Sequence, residues 1–73
     1  MLESKKSIFA ENLKEQRKLN HMTQRQVAEA LGIAQPSYIR YENGTAEPTL
    51  DNLVRLADLF DVSIDYLCGR KEY

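Results

Sequence analysis

Between Thr23 and Gly44 the chain reads TQRQVAEALGIAQPSYIRYENG, a helical pattern that breaks at Gly32 and restarts at Gln35 and Pro36. Thr23 can cap a helix, and Gln26 stands three residues on, in the position that completes a capping box. Val27, Ala28 and Leu31 supply an inward face, and Gly32 can end the segment with a positive φ. Few residues intervene before Pro36, which suits the first turn of a helix because its missing N–H removes no required bond. Tyr38 and Tyr41 share an inward edge, and Asn43-Gly44 stops this second segment.

The flanking residues read as further helices. Ile8, Phe9, Leu13 and Arg17 follow a helical spacing, so the chain from Ser7 to Leu19 forms a first amphipathic helix. Gln16 falls where a larger apolar residue would pack better. Asn20 and His21 end this helix, since both tolerate left-handed backbone. After the loop GTAEP, Thr49 caps a fourth helix in which Leu50, Leu53, Val54, Ala57 and Phe60 recur at about 3.6-residue spacing. Ser63 can cap a last short helix holding Ile64, Tyr66 and Leu67. Strand-like alternation is absent. The expected fold is all-α: a compact five-helix bundle with a charged C-terminal stub. One domain covers residues 1–73, its core from about 7 to 68.

Composition narrows what such a bundle can do. A chain of 73 residues has room for one core and buries only about 60% of the surface its unfolded form exposes. An appended sensor domain, and induction through it, is therefore not expected. Cys68 is the single cysteine, so no internal disulfide forms, and it reads as an ordinary small side chain. His21 is the single histidine, so no cluster with metal-ligand spacing exists. The carboxylates are scattered among basic residues, and the three glycines form no phosphate-cradling motif. Neither an enzyme nor a bound metal or cofactor is expected. No apolar run approaches the roughly 18 residues that span a bilayer, and MLESKKSIFAENLKEQR is too charged for a signal peptide. A soluble, cytoplasmic protein without membrane association follows. Ten basic and eleven acidic side chains give a net charge of -1, which argues against indiscriminate coating of nucleic acid but not against binding through one face.

Two short helices joined by a three- to four-residue turn containing glycine are the mark of a helix-turn-helix, here about 23–43. Such a unit crosses the phosphate backbone with its first helix and lays its second in the major groove. The bland alternative is an αα-hairpin that only completes the bundle. The residues carry more: LKEQRKLNHMTQRQVAEALGIAQPSYIRYENGTAEPTLDNLVRLADLFDVS resembles the phage-repressor and Cro type of helix-turn-helix regulators. The likeness runs from about Ile8 to Leu67, and its distinctive parts are Thr23-Gln24, VAEALGI from Val27, YENG from Tyr41, and Pro48 with the LDNLVRLADLFDVS that follows Thr49. It implies a lambda-repressor-like DNA-binding domain, a homodimer on a palindromic operator, and a sequence-specific double-stranded DNA-binding transcriptional regulator of the repressor kind. The family also includes antitoxins, so the alternative is a module that binds a protein partner, a toxin or an antirepressor, with or without autoregulation of its operon.

The resemblance also assigns residues. Gln35 falls on the family's commonest base-reading position, and its amide matches adenine N7 and N6; a solvated helix-start glutamine is the alternative. Arg40 falls on another reading position, suited to guanine or to a phosphate. Pro36 and Ile39 complete the reading face without hydrogen-bonding side chains. The family more often has a polar residue where Ile39 stands; it either packs on a thymine methyl or is buried. Tyr38 occupies an inward position usually held by an aliphatic residue. Gln24 matches a backbone-phosphate contact that can brace the first reading side chain. Thr23 and Asn43 add phosphate contacts, as does Arg25 unless it is simply a solvated charge. Free N–H groups at the start of the second helix favour an anion there. Arg17 and Glu42 match an internal ion pair that ties the first helix to the end of the third. Phe60, Ile64, Tyr66 and Leu67 offer a dimer surface, or else complete the monomer's own core.

Overall fold

Each turn between helices is closed by local chemistry. The structure, a computed structural model, describes residues 5–70; the end of the charged C-terminal stub lies outside them. The elements are α1 (Lys5–Leu19), α2 (Gln24–Leu31), α3 (Gln35–Asn43), α4 (Leu50–Phe60) and α5 (Ile64–Leu67). His21 takes φ 55 just beyond α1. Thr23 Oγ1 accepts the Gln26 N–H at 3.0 Å, and the Thr23 N–H donates to Gln26 Oε1 at 2.8 Å, a complete capping box. Gly32 ends α2 at φ 72, which lets the Ile33 N–H return to the Ala28 carbonyl at 3.0 Å. Thr49 and Ser63 cap α4 and α5 through their hydroxyl oxygens.

The core gathers Phe9 and Leu13 of α1, Val27, Ala28 and Leu31 of α2, and Tyr38 and Tyr41 of α3. Leu56, Ala57 and Phe60 of α4 and Tyr66 and Leu67 of α5 complete it. The expected inward stripe of α4 needs correction. Leu50 is 75% exposed and Val54 40%, whereas Leu56 is fully buried. Side-chain anchors on the flank of α4 opposite Leu50 set its rotation: Asn52 Nδ2 donates to the Tyr41 hydroxyl at 3.2 Å, and Arg55 Nη1 to the Leu31 carbonyl at 3.3 Å. With α4 tied to α3 and to the end of α2, Leu56 turns inward and the opposite flank faces outward.

Gln16 is a second correction. It is buried, and it fits because α5 brings the Tyr66 hydroxyl to within 3.2 Å of its Nε2. A buried amide with a partner avoids the desolvation penalty that makes an unpaired one costly. Asn12, one turn earlier, donates to the Tyr66 carbonyl at 2.9 Å, so α1 holds α5 through two polar side chains. Beyond α5 the chain turns at Gly69, φ 76, directly against Ile8; a Cβ there would sit 2.3 Å from Ile8 Cγ2. That use of α5 bears on the expected dimer surface. Phe60, Tyr66 and Leu67 are buried in the protomer's own core, and of the four residues only Ile64 keeps partial exposure.

Candidate nucleic-acid interface

The relation of α2 to α3 is set by one carboxylate. Glu42 is buried, its side chain 0% exposed, and it receives Arg17 Nε at 2.6 Å and Arg17 Nη2 at 3.1 Å. The Tyr38 hydroxyl donates to the same carboxylate, and Gln24 Nε2 does so at 3.2 Å. Arg17 also gives its Nη1 to the Met22 carbonyl at 3.0 Å, in the turn between α1 and α2. One group thus ties α1, α2 and α3 together, and every lone-pair direction of a buried charge finds a donor.

The titration of these groups follows from that geometry. Burial pushes the Glu42 carboxyl up, but the hydrogen bonds from Arg17, Tyr38 and Gln24 outweigh it and hold the group below its ordinary value of 4.5. For Tyr38, burial first and the bond to Glu42 second push the hydroxyl above its ordinary 10.0. The bond to Glu42 likewise raises Arg17. The cluster is ionised as an Arg⁺–Glu⁻ pair with a neutral tyrosine over the whole neutral range.

With its inner side committed, α3 leaves its outer side free. Gln35, Pro36, Ser37, Arg40 and Asn43 are exposed and Ile39 is half-buried, while Tyr38, Tyr41 and Glu42 point inward. Among the described residues, neither the Gln35 amide nor the Arg40 guanidinium has a hydrogen bond or an ion pair. At the start of α2, Thr23 spends its hydroxyl on the cap and Gln24 is partly buried beside Glu42. The first helical bond there is Val27 N–H to the Thr23 carbonyl, so the Gln24 and Arg25 N–H groups have no partner within the helix. Arg25 is 76% exposed and lies 3.8 Å from Glu29 one turn on, a contact too loose and wet to hold it. An exposed helix carrying an amide and a guanidinium, next to a helix start that offers free N–H groups, suits a ligand with base edges and an anionic backbone.

The sequence reading missed the Tyr38 hydroxyl as a fourth donor to Glu42. The signal was present in the spacing: residues 38 and 42 are one helical turn apart on the same face. Ser37, exposed on the first turn of α3, also went unmarked. Among the described residues, no group of three His, Cys, Asp or Glu stands together to hold a metal ion, and no helix is long and apolar enough to cross a membrane.

Residues 13–67 match the family described as Helix-turn-helix. The chain is 50% identical over 60 residues to the cryptic phage CTXphi transcriptional repressor RstR of Vibrio cholerae serotype O1, covering 82% of this chain and 54% of that protein. Among solved structures it is similar to a transcriptional regulator from Listeria innocua, with a TM-score of 0.81 and 35% identity, covering 89% of this chain and 61% of that one. The restriction-modification controller protein C.AhdI of Aeromonas hydrophila shares the fold at 24% identity, with a TM-score of 0.77, covering 85% of this chain and 94% of that one. The chain spans about half the length of the curated relatives it matches. By its profile match and its relatives, the chain belongs to the helix-turn-helix family in the phage-repressor and Cro form.

Proposed function

We propose that the chain is a cytoplasmic, sequence-specific double-stranded DNA-binding transcriptional repressor that does no chemistry on its ligand. The observation that carries this reading is the unpartnered Gln35 and Arg40 on the outer face of an α3 whose inner face is locked through Glu42. Base contacts by such side chains require a rigid platform, because each bidentate pair discriminates only in a fixed geometry. Gln35, Pro36, Ile39 and Arg40 then read bases, while Thr23, Gln24, Arg25 and Asn43 lie on the phosphate side. A relative named as a transcriptional repressor supports the regulatory direction.

The proposed active form is a homodimer on a palindromic operator. A single domain of this size reads few base pairs, and with a net charge of -1 it has little non-specific attraction to fall back on. The surface offered to a second copy is the outer flank of α4, where Leu50 and Val54 stand one turn apart and exposed. Beside them Asp51 and Arg55 form a half-exposed pair at 3.1 Å. A two-fold partner running antiparallel sets Asp51 against Arg55 of the other copy, so the charges complement in both directions. Protomer extents of 33 × 24 × 22 Å allow two abutting copies to address half-sites about 34 Å apart.

The test is binding to a selected operator and to a scrambled duplex over a salt series. Specific binding should persist where scrambled binding has faded, and both should weaken as salt rises. Equal affinity for both duplexes at every salt concentration defeats the proposal and favours a module that binds a protein partner.

A further inference from the structure

Packing at the centre of the core does not require a hydroxyl. Tyr38 is fully buried, and its ring meets Tyr41 edge-on, with centroids 6.2 Å apart and planes at 80°. A phenyl or aliphatic side chain would fill that space without taking a polar group out of water. The hydroxyl instead completes a balanced set of bonds on Glu42. Oε1 accepts from Arg17 Nη2 and Gln24 Nε2, and Oε2 accepts from Arg17 Nε and the Tyr38 hydroxyl. Arg17 reaches in from α1 and Gln24 from α2, whereas Tyr38 belongs to α3 itself, one turn before Glu42.

We infer that the Tyr38 hydroxyl is a positioning group for base discrimination, because it fixes the rotation of α3 about its own axis. This rests on the proposed reading of the outer face of α3. Arg17 and Gln24 hold the carboxylate relative to α1 and α2, but Glu42 joins it to the α3 backbone through a flexible side chain. With that link alone, the helix can turn while the carboxylate stays in place. The hydroxyl ties the same carboxylate to α3 a second time, through a ring that the core immobilises. Attachments a full turn apart remove that freedom. Gln35 and Arg40, on the outer side of α3, therefore meet base edges at a set angle, which bidentate contacts require. Phosphate contacts are less exacting, since attraction between charges tolerates small displacements, and those at the start of α2 do not move with α3. The hydroxyl thus acts on discrimination between sequences and not on attraction to the duplex.

The experiment titrates wild type, Tyr38→Phe and Leu56→Val against the selected operator and the scrambled duplex, with urea unfolding of each protein. Tyr38→Phe keeps the ring and leaves Glu42 paired with Arg17, so it should fold. Leu56→Val softens the core at a buried position of α4 that gives no bond to Glu42. In Tyr38→Phe, operator affinity should fall about tenfold while scrambled affinity stays, the scale of one misplaced bidentate contact. In Leu56→Val, stability should fall and the preference for operator should stay. Combining Tyr38→Phe with Gln35→Ala should cost less preference than the two changes summed, since both act on the same base contact. An unchanged preference in folded Tyr38→Phe overturns the inference. So do parallel losses on both duplexes, an equal loss of preference in Leu56→Val, or a Tyr38→Phe chain that does not fold. In each of those cases, wild-type preference for operator leaves the repressor reading intact. Wild type without that preference defeats the repressor reading itself, and the inference with it.

Discussion

Gln24 donates from Nε2 to Oε1 of Glu42 at 3.2 Å, joining the first residue of α2 to the last turn of α3. Arg17 and Tyr38 converge on the same carboxylate, so the angle between the two helices depends on a buried charge with several donors. Removing that charge strands what it holds. Glu42→Ala should cost about 3–5 kcal/mol, as expected when one partner of a buried pair is lost. The double change Arg17→Met with Glu42→Leu should cost less than Glu42→Ala alone, since no unpaired charge remains. Urea unfolding of the three proteins, compared at constant m-value, decides it. A double variant as unstable as the single one contradicts this account.

The pH dependence follows from the same cluster. Glu42 titrates lower in the fold than its ordinary 4.5, so its contribution is complete above that value and is lost as pH falls below it. Tyr38 titrates above its ordinary 10.0, so its contribution is complete below that pH and declines as pH rises past it. Between these limits stability should be flat with respect to both groups. Measured against Glu42→Gln, the wild type's stability advantage should shrink as pH is taken from 6 toward 3. A constant difference across that range would remove Glu42 from the acid response.

Gly69 and Gly32 separate two reasons for glycine. Both have positive φ, but a Cβ at Gly32 meets nothing within 4 Å, whereas one at Gly69 meets Ile8 at 2.3 Å. Gly32→Ala should cost roughly 1–2 kcal/mol, the left-handed penalty alone. Gly69→Ala adds an overpacking term of roughly 1–3 kcal/mol, and Ile8→Ala in the same chain should recover part of that term. Thermal unfolding of the four proteins reads out the pattern; equal losses at the two glycines would contradict it.

The outer flank of α4 is tested by Leu50→Glu with Val54→Glu. Both positions are exposed, and a glutamate in the first turn of a helix is favoured by the helix dipole, so the protomer should fold normally. Sedimentation with a full operator should show two wild-type protomers per duplex and one on a half-site. The variant should bind the half-site as before and lose its pairing on the full site. A variant that still pairs normally places the interface elsewhere.

Base discrimination separates α3 from α2. Gln35→Ala should relax preference at one operator position by about 1–3 kcal/mol. Gln24→Ala should weaken binding across sequences evenly and also lower stability, because it removes a donor from Glu42. Selection from a randomised duplex gives the preference. An unchanged preference in Gln35→Ala would exclude that residue from base reading.

Helix limits were legible because caps act locally. Thr23 with Gln26, Gly32, Gly44, Thr49 and Ser63 each cap a helix end with atoms a few residues away, and Pro36 fits the first turn of α3 by its fixed φ alone, whatever the rest of the chain does. Asp61 ends α4 at φ 55 without a glycine; like His21 it tolerates left-handed backbone, a weaker signal than glycine. The inward tyrosines of α3 were legible for a similar reason, since the helical period places Tyr38 and Tyr41 on one edge.

What the sequence determined by itself is therefore the number and order of the helices and most of their ends, together with which side chains are available to face outward on α3. Only the tertiary structure decided which apolar stripe of α4 turns inward, why Gln16 can be buried, and that Phe60, Tyr66 and Leu67 are spent on the protomer's own core. Periodicity says that a helix has an apolar side, but adjacent stripes differ by a fraction of a turn. The choice between them belongs to partners far away in sequence: Tyr41 and Leu31 for α4, Tyr66 for Gln16. The Tyr38 hydroxyl on Glu42 is of the same kind, because a buried carboxylate becomes stable only when donors from three helices reach it at once.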